Sequence, residues 1–402
     1  MQKSFITAIV GGGAAGLLSA IELLNGSDAL SGSEVVILEK NDRVGKKLIA
    51  TGNGQGNLTN ANVSEEFFYG DKAFIKAFLE SEKSIDLKNY LRALGVPLCE
   101  SKDGKIYPLS KQASAVLDIL RAYLQYKNCT VITGATVEKI IKAKSGYKIL
   151  TAKDEYYARS VIMATGGSAG KQFGTDGSAY ALAENLGHKR TEVYPSLVQL
   201  KTQTDLIRSL KGLKETAKVT AYSGETALKS AVGDLLFTEF GVSGSAIFTV
   251  SAAVAGKKNV KLKIEFLPEL SISETEKIIA ERQNLRYFAP EDALSGILNK
   301  RVGQAVLKTA KSKNATDIAY ALKNFTLSVT GSLGFNYAQV TRGGISTDKV
   351  NSKTFESKLN ENFYIVGEAL DIDGDCGGYN LTFAFVSGIV AARDIKEKLS
   401  KK

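Results

Sequence analysis

The reactive side chains of this 402-residue chain are few, and they do not form a hydrolytic set. His188 is the only histidine, so the sequence offers a single residue that could activate a nucleophile in a histidine-dependent hydrolase. The cysteines, Cys99, Cys129 and Cys376, lie far apart without a Cys-x-x-Cys pair, which predicts neither a dithiol redox centre nor a zinc site. No metal site is predicted. The strongest chemical signal is instead a glycine-rich motif near the N-terminus.

That motif is a glycine fingerprint at the end of a predicted strand. Residues 6–10 form an apolar run, and Gly11, Gly13 and Gly16 follow it. Gly11 permits a tight turn, Gly13 lets the backbone approach a pyrophosphate, and Gly16 lets the next helix pack closely on the sheet. The helix predicted from Ala14 begins with amides and a dipole that favour phosphate.

An acidic residue at the end of the next strand completes a dinucleotide signature. Residues 35–38 predict a second buried strand, and Glu39 ends it, 23 residues after Gly16. Its carboxylate can accept hydrogen bonds from ribose hydroxyls. The order of strand, helix, strand and acid therefore predicts dinucleotide binding by Gly11, Gly13, Ala14, Ala15, Gly16, Glu39 and Lys40.

The residues after Lys40 favour FAD over NAD. A nicotinamide domain normally returns to helix and strand here, whereas residues 41–60 form a long loop rich in glycine, asparagine and threonine. Such a loop carries backbone donors that can lie along a pyrophosphate and reach an isoalloxazine ring. A plain solvated loop is the alternative. The predicted FAD contacts in this loop are Lys47, Thr51, Gly52, Asn53, Gly54 and Asn57.

Two later strands that end in glycine turns support FAD. One is predicted within residues 158–167, and the other within residues 363–369, followed by a glycine turn at 377–380 and an apolar helix over 381–398. We expect non-covalent binding, because no histidine or cysteine lies in the first fingerprint loop. Val137 is predicted to contact adenine through its backbone. The other predicted contacts are Ala164, Thr165, Gly166, Gly167, Gly367, Glu368, Gly378, Tyr379, Asn380 and Leu381.

Over nearly its full length the chain resembles a bacterial FAD-dependent flavoprotein family that includes aminoacetone oxidase and the bile-acid-dehydroxylation flavoprotein reductase. The family is one of NAD(P)/FAD-dependent oxidoreductases. The motifs that carry the resemblance lie, besides the fingerprint, at residues 45–48, 51–60, 194–198, 233–238, 240–244, 341–345 and 377–381.

This resemblance implies an FAD-dependent oxidoreductase that transfers hydride to or from a small organic substrate. Reduction of an activated C=C bond with NAD(P)H as donor is one version. No second glycine fingerprint for NAD(P)H is present, so the nicotinamide would visit the substrate site. Two alternatives stay open: a flavin amine or amino-acid oxidase that uses O2, and a tRNA-associated flavoprotein.

Three residues are candidates for catalysis. Tyr379 lies in the predicted glycine turn and could donate a proton to substrate, or it could serve loop packing. Glu239 stands where relatives have histidine and could act as an acid or base if burial raised its pKa; the alternative is a solvated carboxylate. Arg342 could hold an anionic substrate, or it could pair with a nearby acid.

The order of the predicted elements indicates an α/β fold with two domains. Residues 1–190 and 341–402 form a Rossmann-like FAD-binding domain built from both chain ends. Residues 191–340 form an inserted substrate domain that resembles a β-barrel with a helical cap. It is predicted to be β-rich over 191–270 and 325–340, and helical over 271–324.

Composition limits the partners. The net charge is +10 and the pI about 9.2, but the lysines are spread widely. This favours a basic enzyme over a nucleic-acid binder and is compatible with an anionic small-molecule substrate. No apolar run approaches the ~18 residues of a membrane span, and the N-terminus leads directly into the first strand. We therefore expect a cytoplasmic protein without a membrane partner, while the oligomeric state stays open.

Overall fold

The chain forms two units, each with its own hydrophobic core. The structure is a computed structural model that describes residues 3–26, 28–285 and 289–401. The first unit joins the chain up to Val193 to the chain from Val340 onwards. The second unit spans Tyr194–Gln339.

The first part of the first unit alternates strands with helices. Its elements are, in chain order, β1 (Lys3–Val10), α1 (Ala14–Leu23), β2 (Val35–Leu38), β3 (Thr59–Asn60), β4 (Phe68–Gly70), α2 (Lys72–Ile85), α3 (Leu87–Ala93), β5 (Leu98–Glu100), β6 (Lys105–Pro108), α4 (Ala113–Tyr126), β7 (Thr130–Ile132), β8 (Val137–Ala143), β9 (Gly146–Thr151), β10 (Glu155–Met163) and α5 (Tyr180–Glu184).

The second unit is mostly strands at first and then mostly helices. Its elements are β11 (Tyr194–Ser196), β12 (Leu200–Thr202), β13 (Lys214–Ser223), β14 (Thr226–Phe237), β15 (Gly241–Ser243), α6 (Ser245–Val254), β16 (Val260–Phe266), α7 (Ile272–Gln283), α8 (Lys300–Leu307), α9 (Ala315–Lys323) and β17 (Phe325–Ser332). The chain then returns to the first unit through β18 (Val340–Arg342), β19 (Phe363–Ile365), β20 (Ile372–Gly374) and α10 (Tyr379–Ser400).

Strand β10 lies at the centre of the main sheet of the first unit. It pairs in parallel with β1 on one side and with β19 on the other, and β2 and β7 continue the parallel order beyond β1. Strands β9 and β8 extend the sheet as antiparallel neighbours of the first half of β10. Because β19 comes from the last part of the chain, the parallel sheet requires both chain ends, as the predicted α/β fold does.

The second unit contains a closed antiparallel barrel in the strand order β12, β15, β14, β13, β16 and β17. Alternate residues of β13, namely Ala217, Val219 and Ala221, are fully buried, as inward-facing barrel positions should be. Helices α7, α8 and α9 contribute to the same core through Ile279, Val306 and Ile318, among others. The predicted barrel with helices around it is confirmed.

The last helix begins earlier than the sequence indicated. We predicted a turn over 377–380 and a helix over 381–398, whereas α10 already contains Tyr379 and Asn380 in its first turn. Gly378, with φ +97°, is the residue before the helix; this left-handed conformation suits glycine and ends the loop one residue before Tyr379. Among the described residues, no helix has the length and apolar character needed to cross a membrane.

The single histidine has a structural environment. His188 follows α5 and is buried, with Nε2 2.8 Å from the Ser357 hydroxyl. Its Nδ1 has no hydrogen-bond partner among the described residues. Burial lowers the pKa of His188 below its usual value, so the ring is held neutral rather than placed for acid–base chemistry.

A buried ionic cluster joins α1, α3 and α10. The buried Glu22 carboxylate accepts hydrogen bonds from the Tyr90 hydroxyl at 2.7 Å and from Arg393 Nε at 3.0 Å. Lys396 Nζ, whose side chain is only 7% exposed, lies 3.5 Å from the same carboxylate. Asn25 and Asp28 complete the lysine's environment. The cluster links three helices through one buried carboxylate, which indicates a role in holding the helices together.

We expect Glu22→Gln to destabilise the first unit by about 3 kcal/mol, because it leaves Lys396 and Arg393 without this buried carboxylate. Glu397→Gln is the matched control: its partner Lys401 is also on α10, but both side chains are more than 60% exposed, so the expected cost is below about 1 kcal/mol. Urea unfolding followed by circular dichroism measures both. Equal midpoints for the two variants would contradict the structural role of Glu22.

Candidate functional site

Two glycines of the fingerprint turn are required by packing within the protein itself. Gly11 has φ +104°, and a Cβ there would lie 2.5 Å from the Ala164 carbonyl oxygen. A Cβ on Gly16 would lie 2.0 Å from the Gly11 carbonyl oxygen. The first helix α1 can therefore approach β1 and the end of β10 only with glycine at these positions.

Gly13 is different, because nothing among the described residues lies within 4 Å of a Cβ added there. It precedes α1 with an ordinary φ of −82°, and no side chain caps the helix. The start of α1, at the carboxyl end of β1, therefore has open space beside Gly13 and no side chain of the described residues that caps it. This arrangement is the one in which a helix N-terminus binds a phosphate oxygen.

Glu39 is buried at the carboxyl end of β2 and is already held in place. Its Oε2 accepts a hydrogen bond from Gly12 N at 2.8 Å, and its Oε1 accepts from the Asn41 backbone and side-chain nitrogens at 2.8 and 2.7 Å. A carboxylate oxygen offers about two acceptor positions. Oε2 therefore retains one for a ribose hydroxyl.

Lys47 and Glu368 form a partly buried ion pair between the first and last parts of the chain. Lys47 Nζ lies 2.6 Å from Glu368 Oε2 and donates to the Ala169 carbonyl oxygen at 3.0 Å. Glu368 Oε1 accepts from Thr341 N at 2.9 Å, and the Thr341 hydroxyl accepts from the Ser168 and Ala169 amides. The pair thus brings together the predicted contact segments around residues 47, 167 and 367.

The loop over 51–57 turns through consecutive left-handed residues. Gly52, Asn53 and Gly54 have φ values of +57°, +54° and +84°. Asn57 is buried. Its side-chain amide is oriented so that the nitrogen donates to the Thr59 carbonyl oxygen and the oxygen accepts from Gly378 N at 3.1 Å. This bond joins the loop to the residue before α10. Thr51 uses its hydroxyl to bond the Leu48 carbonyl oxygen at 2.7 Å.

The turn after β10 contains a polar atom without a partner. The Thr165 hydroxyl is buried and has no hydrogen bond among the described residues. Next to it, a Cβ on Gly167 would lie 2.5 Å from the Thr341 hydroxyl. On the other side of β10, the backbone of Gly367 donates to the Ser387 hydroxyl at 3.0 Å. Both turns follow the carboxyl ends of neighbouring parallel strands, where ligands of such sheets bind.

Tyr379 is buried at the start of α10 and is fixed by aromatic rings. It stacks on Phe67 with ring centroids 4.5 Å apart, and Phe68 meets it edge-on at 5.9 Å. Burial raises the pKa of Tyr379 to about 12, so its hydroxyl keeps its proton at neutral pH. Asn380 beside it bonds both backbone groups of Gly374, at 2.8 and 2.7 Å.

Arg342 is paired with an acid, as the alternative interpretation of the sequence expected. Its Nε and Nη2 donate to the two Asp373 carboxylate oxygens at 2.8 and 3.0 Å. The guanidinium carbon lies 3.9 Å from the centre of the Tyr69 ring. Its Nη1 makes no hydrogen bond among the described residues.

Glu239 does not meet the condition for acid–base catalysis. It belongs to the second unit, its side chain is 61% exposed, and Lys211 Nζ lies 2.8 Å away. This lysine lowers the pKa of Glu239 rather than raising it. Glu239 is thus a solvated carboxylate, the alternative that the sequence left open.

The remaining predicted contacts lie at the margin of this region. Val137 is half-buried at the start of β8, paired with Thr151, and packs on the core. Lys40 Nζ lies 3.2 Å from Asp176. Sequence reasoning missed Phe67, Tyr69, Asp373 and Asp375, which surround Tyr379 and Arg342. The alternation of Asp371, Asp373 and Asp375 was a visible signal, since alternate residues of an extended segment share a face.

The residues of the first unit fit FAD. Gly13 leaves space for a pyrophosphate at the start of α1, Glu39 keeps an acceptor for a ribose hydroxyl, and the unpaired Thr165 hydroxyl is a free polar atom in the neighbouring turn. Strands β1, β2, β10 and β19 run parallel, so the predicted contact segments that follow them emerge at one edge of the sheet.

Comparisons with known proteins agree with this geometry. A family model described as HI0933-like protein Rossmann domain matches residues 5–394. A 3-dehydro-bile acid delta(4,6)-reductase from Clostridium scindens is 34% identical, covering 97% of this chain and 98% of the relative. A ribosomal RNA dihydrouridine synthase from Haemophilus influenzae is 25% identical, with 97% and 98% covered, and one from Escherichia coli is 24% identical.

Solved structures bear on the fold. A 3-ketosteroid-delta4-(5alpha)-dehydrogenase from Rhodococcus jostii RHA1 has a TM-score of 0.52 at 15% identity, covering 98% of this chain and 97% of that one. A 3-ketosteroid delta1-dehydrogenase from Sterolibacterium denitrificans has a TM-score of 0.54 at 12% identity, covering 99% and 100%.

We expect Gly13→Val to fold and to lose FAD, because the protein leaves room for the side chain and a bound pyrophosphate would not. Gly16→Val is the comparison: its Cβ meets the Gly11 carbonyl oxygen within the protein, so it should fail to fold. The ratio of flavin to protein absorbance after purification, with a circular dichroism spectrum, separates the two effects. Full flavin occupancy in Gly13→Val would place the pyrophosphate elsewhere.

Proposed function

We propose a substrate class and an electron donor for this chain, which belongs to the HI0933-like Rossmann family. Membership confirms the resemblance seen in the sequence, and with it an FAD-dependent oxidoreductase of Rossmann type. The proposed reaction is the reduction of a C=C bond conjugated to a carbonyl group, in a 3-oxo steroid or bile acid. NAD(P)H is the proposed reductant.

The full-length similarity to a delta(4,6)-reductase of 3-dehydro-bile acids is the observation that carries this proposal. A double bond next to a 3-oxo group is electron-poor at its far carbon, which makes it a hydride acceptor. When bound, FAD supplies the two-electron chemistry, and the protein supplies orientation, electrostatics and exclusion of water.

Two side chains of the first unit are suited to the rest of the reaction. Hydride addition at the β-carbon moves the π electrons to the carbonyl oxygen, and the product then needs one proton at the α-carbon. Arg342 can donate a hydrogen bond to that oxygen as it becomes negative. Tyr379 holds its proton at neutral pH and can deliver it, regaining one from solvent. One hydride and one proton complete the saturated bond.

The NAD(P)H proposal comes from the family resemblance. The sequence has one glycine fingerprint, which we assign to FAD, so a nicotinamide would bind transiently in the substrate site and leave before the organic substrate enters. This order predicts that reduction of the flavin and reduction of the substrate can be observed as separate halves of the reaction.

We expect anaerobic holoenzyme to be bleached by NADH or NADPH and reoxidised by 3-oxochol-4-en-24-oic acid, with a product two mass units heavier. The control is the same acid already saturated at C4–C5, which should leave the flavin reduced. Bleaching by an amine or amino acid, followed by reoxidation only when air is admitted, would overturn the proposal in favour of an oxidase.

Ribosomal RNA is the second candidate substrate, favoured by two full-length relatives named as rRNA dihydrouridine synthases. Uracil also contains a C=C bond conjugated to a carbonyl, so the same residues would serve. Reduced holoenzyme is offered unmodified rRNA transcripts, and dihydrouridine is measured by mass spectrometry. Tight binding that weakens steeply with salt, together with dihydrouridine formation, would select RNA over the steroid.

We expect Tyr379→Phe to lower kcat for the C=C reduction by roughly 10²-fold or more, because it removes the proton donor, while bleaching of the flavin by NAD(P)H is unchanged. Because the pKa of Tyr379 is about 12, wild-type kcat should show no loss from this group up to about pH 11. Tyr126→Phe, a change at a tyrosine that is 79% exposed, is the control. A Tyr379→Phe enzyme with wild-type kcat would assign the proton to another group.

A further inference from the structure

We propose that Tyr69 and Asp373 are positioning residues that fix the Arg342 guanidinium, so that its free edge selects a neutral carbonyl oxygen over a carboxylate. The inference rests on the proposed function, since it concerns the same site. It adds two residues that the sequence did not indicate and a rule for which oxygen the site accepts.

The first support is the geometry of the ion pair. Arg342 uses Nε and one hydrogen of Nη2 for the two Asp373 oxygens. A guanidinium carries five N–H donors, so three remain, two of them on Nη1. Asp373 is 1% exposed and Arg342 is 20% exposed at the side chain. A two-point contact with a buried acid fixes the plane of the fork and therefore the direction of the unused donors.

The second support is the ring below that plane. Tyr69 on β4 is directly opposite Asp373 on β20 in the antiparallel register, so both side chains stand on the same face of the strand pair. Phe68 points to the other face and packs on Phe78 in the core. The Arg342 guanidinium carbon, 3.9 Å above the Tyr69 ring, is in cation–π contact.

The ring is itself fixed at its far end. The Tyr69 hydroxyl donates to Asp375 Oδ1 at 2.8 Å. Burial, together with the neighbouring Asp375 carboxylate, raises the pKa of Tyr69, so the hydroxyl remains a donor and the ring cannot turn freely. Three groups thus hold Arg342: an acid at one edge, a ring at one face, and a second acid that holds the ring.

The charges of this cluster decide what the free edge can bind. Asp373 offsets the Arg342 charge at 2.8 Å, Asp371 is close enough to Arg342 to interact with it electrostatically, and Asp375 accepts a hydrogen bond from the Tyr69 hydroxyl. Burial raises the pKa of Asp371. A substrate carboxylate would meet an acidic surrounding, whereas a neutral carbonyl gains negative charge only as the hydride arrives. The unused Arg342 donors can bind the neutral carbonyl oxygen, and this hydrogen bond strengthens as the oxygen becomes negative during hydride addition.

The cluster is adjacent to the predicted flavin contacts. Thr341, next to Arg342, bonds Glu368 and the Ser168–Ala169 amides. Asp375 comes shortly before Gly378 and Tyr379, and its amide bonds the Phe67 carbonyl oxygen at 2.9 Å. Phe67 stacks on Tyr379 and Tyr69 stacks on Arg342. One short segment, 67–69, therefore positions both groups proposed to act on the substrate.

The test is a double-variant cycle on holoenzyme with 3-oxochol-4-en-24-oic acid as probe. We expect Tyr69→Leu and Asp373→Asn each to lower kcat roughly tenfold with less than a threefold change in KM, while flavin occupancy and bleaching by NADPH are retained. Tyr69→Phe keeps the ring and should recover most of the kcat lost in Tyr69→Leu. Tyr126→Leu, at an exposed position of α4, is the matched control.

The decisive result is non-additivity. Arg342→Lys should lower kcat roughly 10²-fold, and adding Tyr69→Leu to it should cost nothing more, since Tyr69 acts through the guanidinium. An equal tenfold loss in both backgrounds would overturn the inference. If the Tyr69→Leu protein does not retain flavin, a fluorinated phenylalanine is introduced at position 69 instead, because it keeps the shape of the ring and weakens its negative face. A kcat equal to that of Tyr69→Phe would then also overturn the inference.

The selectivity is tested separately. Wild-type enzyme should bind the probe and its uncharged 24-methyl ester within about threefold of each other, whereas a carboxylate held by Arg342 would make the ester bind far more weakly and would refute the selectivity. If the wild-type enzyme reduces no conjugated C=C bond, the proposed function itself is wrong. If the enzyme reduces the probe but the effects of Tyr69→Leu and Arg342→Lys on kcat are additive, only the positioning inference is wrong.

Discussion

The parallel pairing of β10 with β1 on one side and β19 on the other is the constraint on which the site depends. Parallel strands end at the same edge of a sheet, so this pairing collects segments that are hundreds of residues apart in the chain. The fingerprint after β1, Glu39 after β2, the Thr165 turn after β10 and Glu368 after β19 all emerge there. Without β19 the edge would lack the last segment, and Lys47 would lose its partner 321 residues away. In the chain, the second unit lies between β10 and β19. These two strands nevertheless pair directly in the sheet.

Local sequence signals predicted the cofactor half of the site because each of its parts is encoded in a few consecutive residues. A Cβ on Gly11 or Gly16 would lie 2.5 or 2.0 Å from a backbone carbonyl oxygen, so glycine is required at both positions and marks them in the sequence. Glu39 ends an apolar strand, and this pattern too is short. The barrel could be predicted because short apolar runs alternate with polar turns in this part of the sequence, whereas the burial of every second residue on β13 is seen only in the structure. The start of α10 was missed by two residues because Gly378 can either continue a turn or precede a helix, and only the packing of Tyr379 on Phe67 selects the helix.

The substrate half could not be predicted in the same way, because its interactions join residues from distant parts of the chain. Nothing near Arg342 in the sequence reveals Asp373, and nothing near Tyr69 reveals either of them; the register of β4 with β20 brings them together. For Glu239, in contrast, the sequence suggested a catalytic role that its surroundings do not support. A difference from the family pattern made it a candidate, but an acid without burial keeps a low pKa, and Lys211 lowers it further. Residue type at a motif position indicates a chemical possibility, whereas the surrounding charges and solvent exposure decide whether it is realised.

The surroundings of Arg342 also change how the positive net charge of the chain should be interpreted. A net charge of +10 is compatible with an anionic substrate, yet the charge of Arg342, the arginine best placed to bind one, is already offset by the ion pair with Asp373. An arginine in that state is a directional hydrogen-bond donor more than a charge, and it is most effective where negative charge develops late, as on the oxygen of a conjugated carbonyl. A 3-oxo steroid and a uracil ring both present such an oxygen beside the bond to be reduced. The site chemistry is therefore common to the two candidate substrates, and the choice between them must be made by surfaces that recognise the remainder of a steroid or of an RNA.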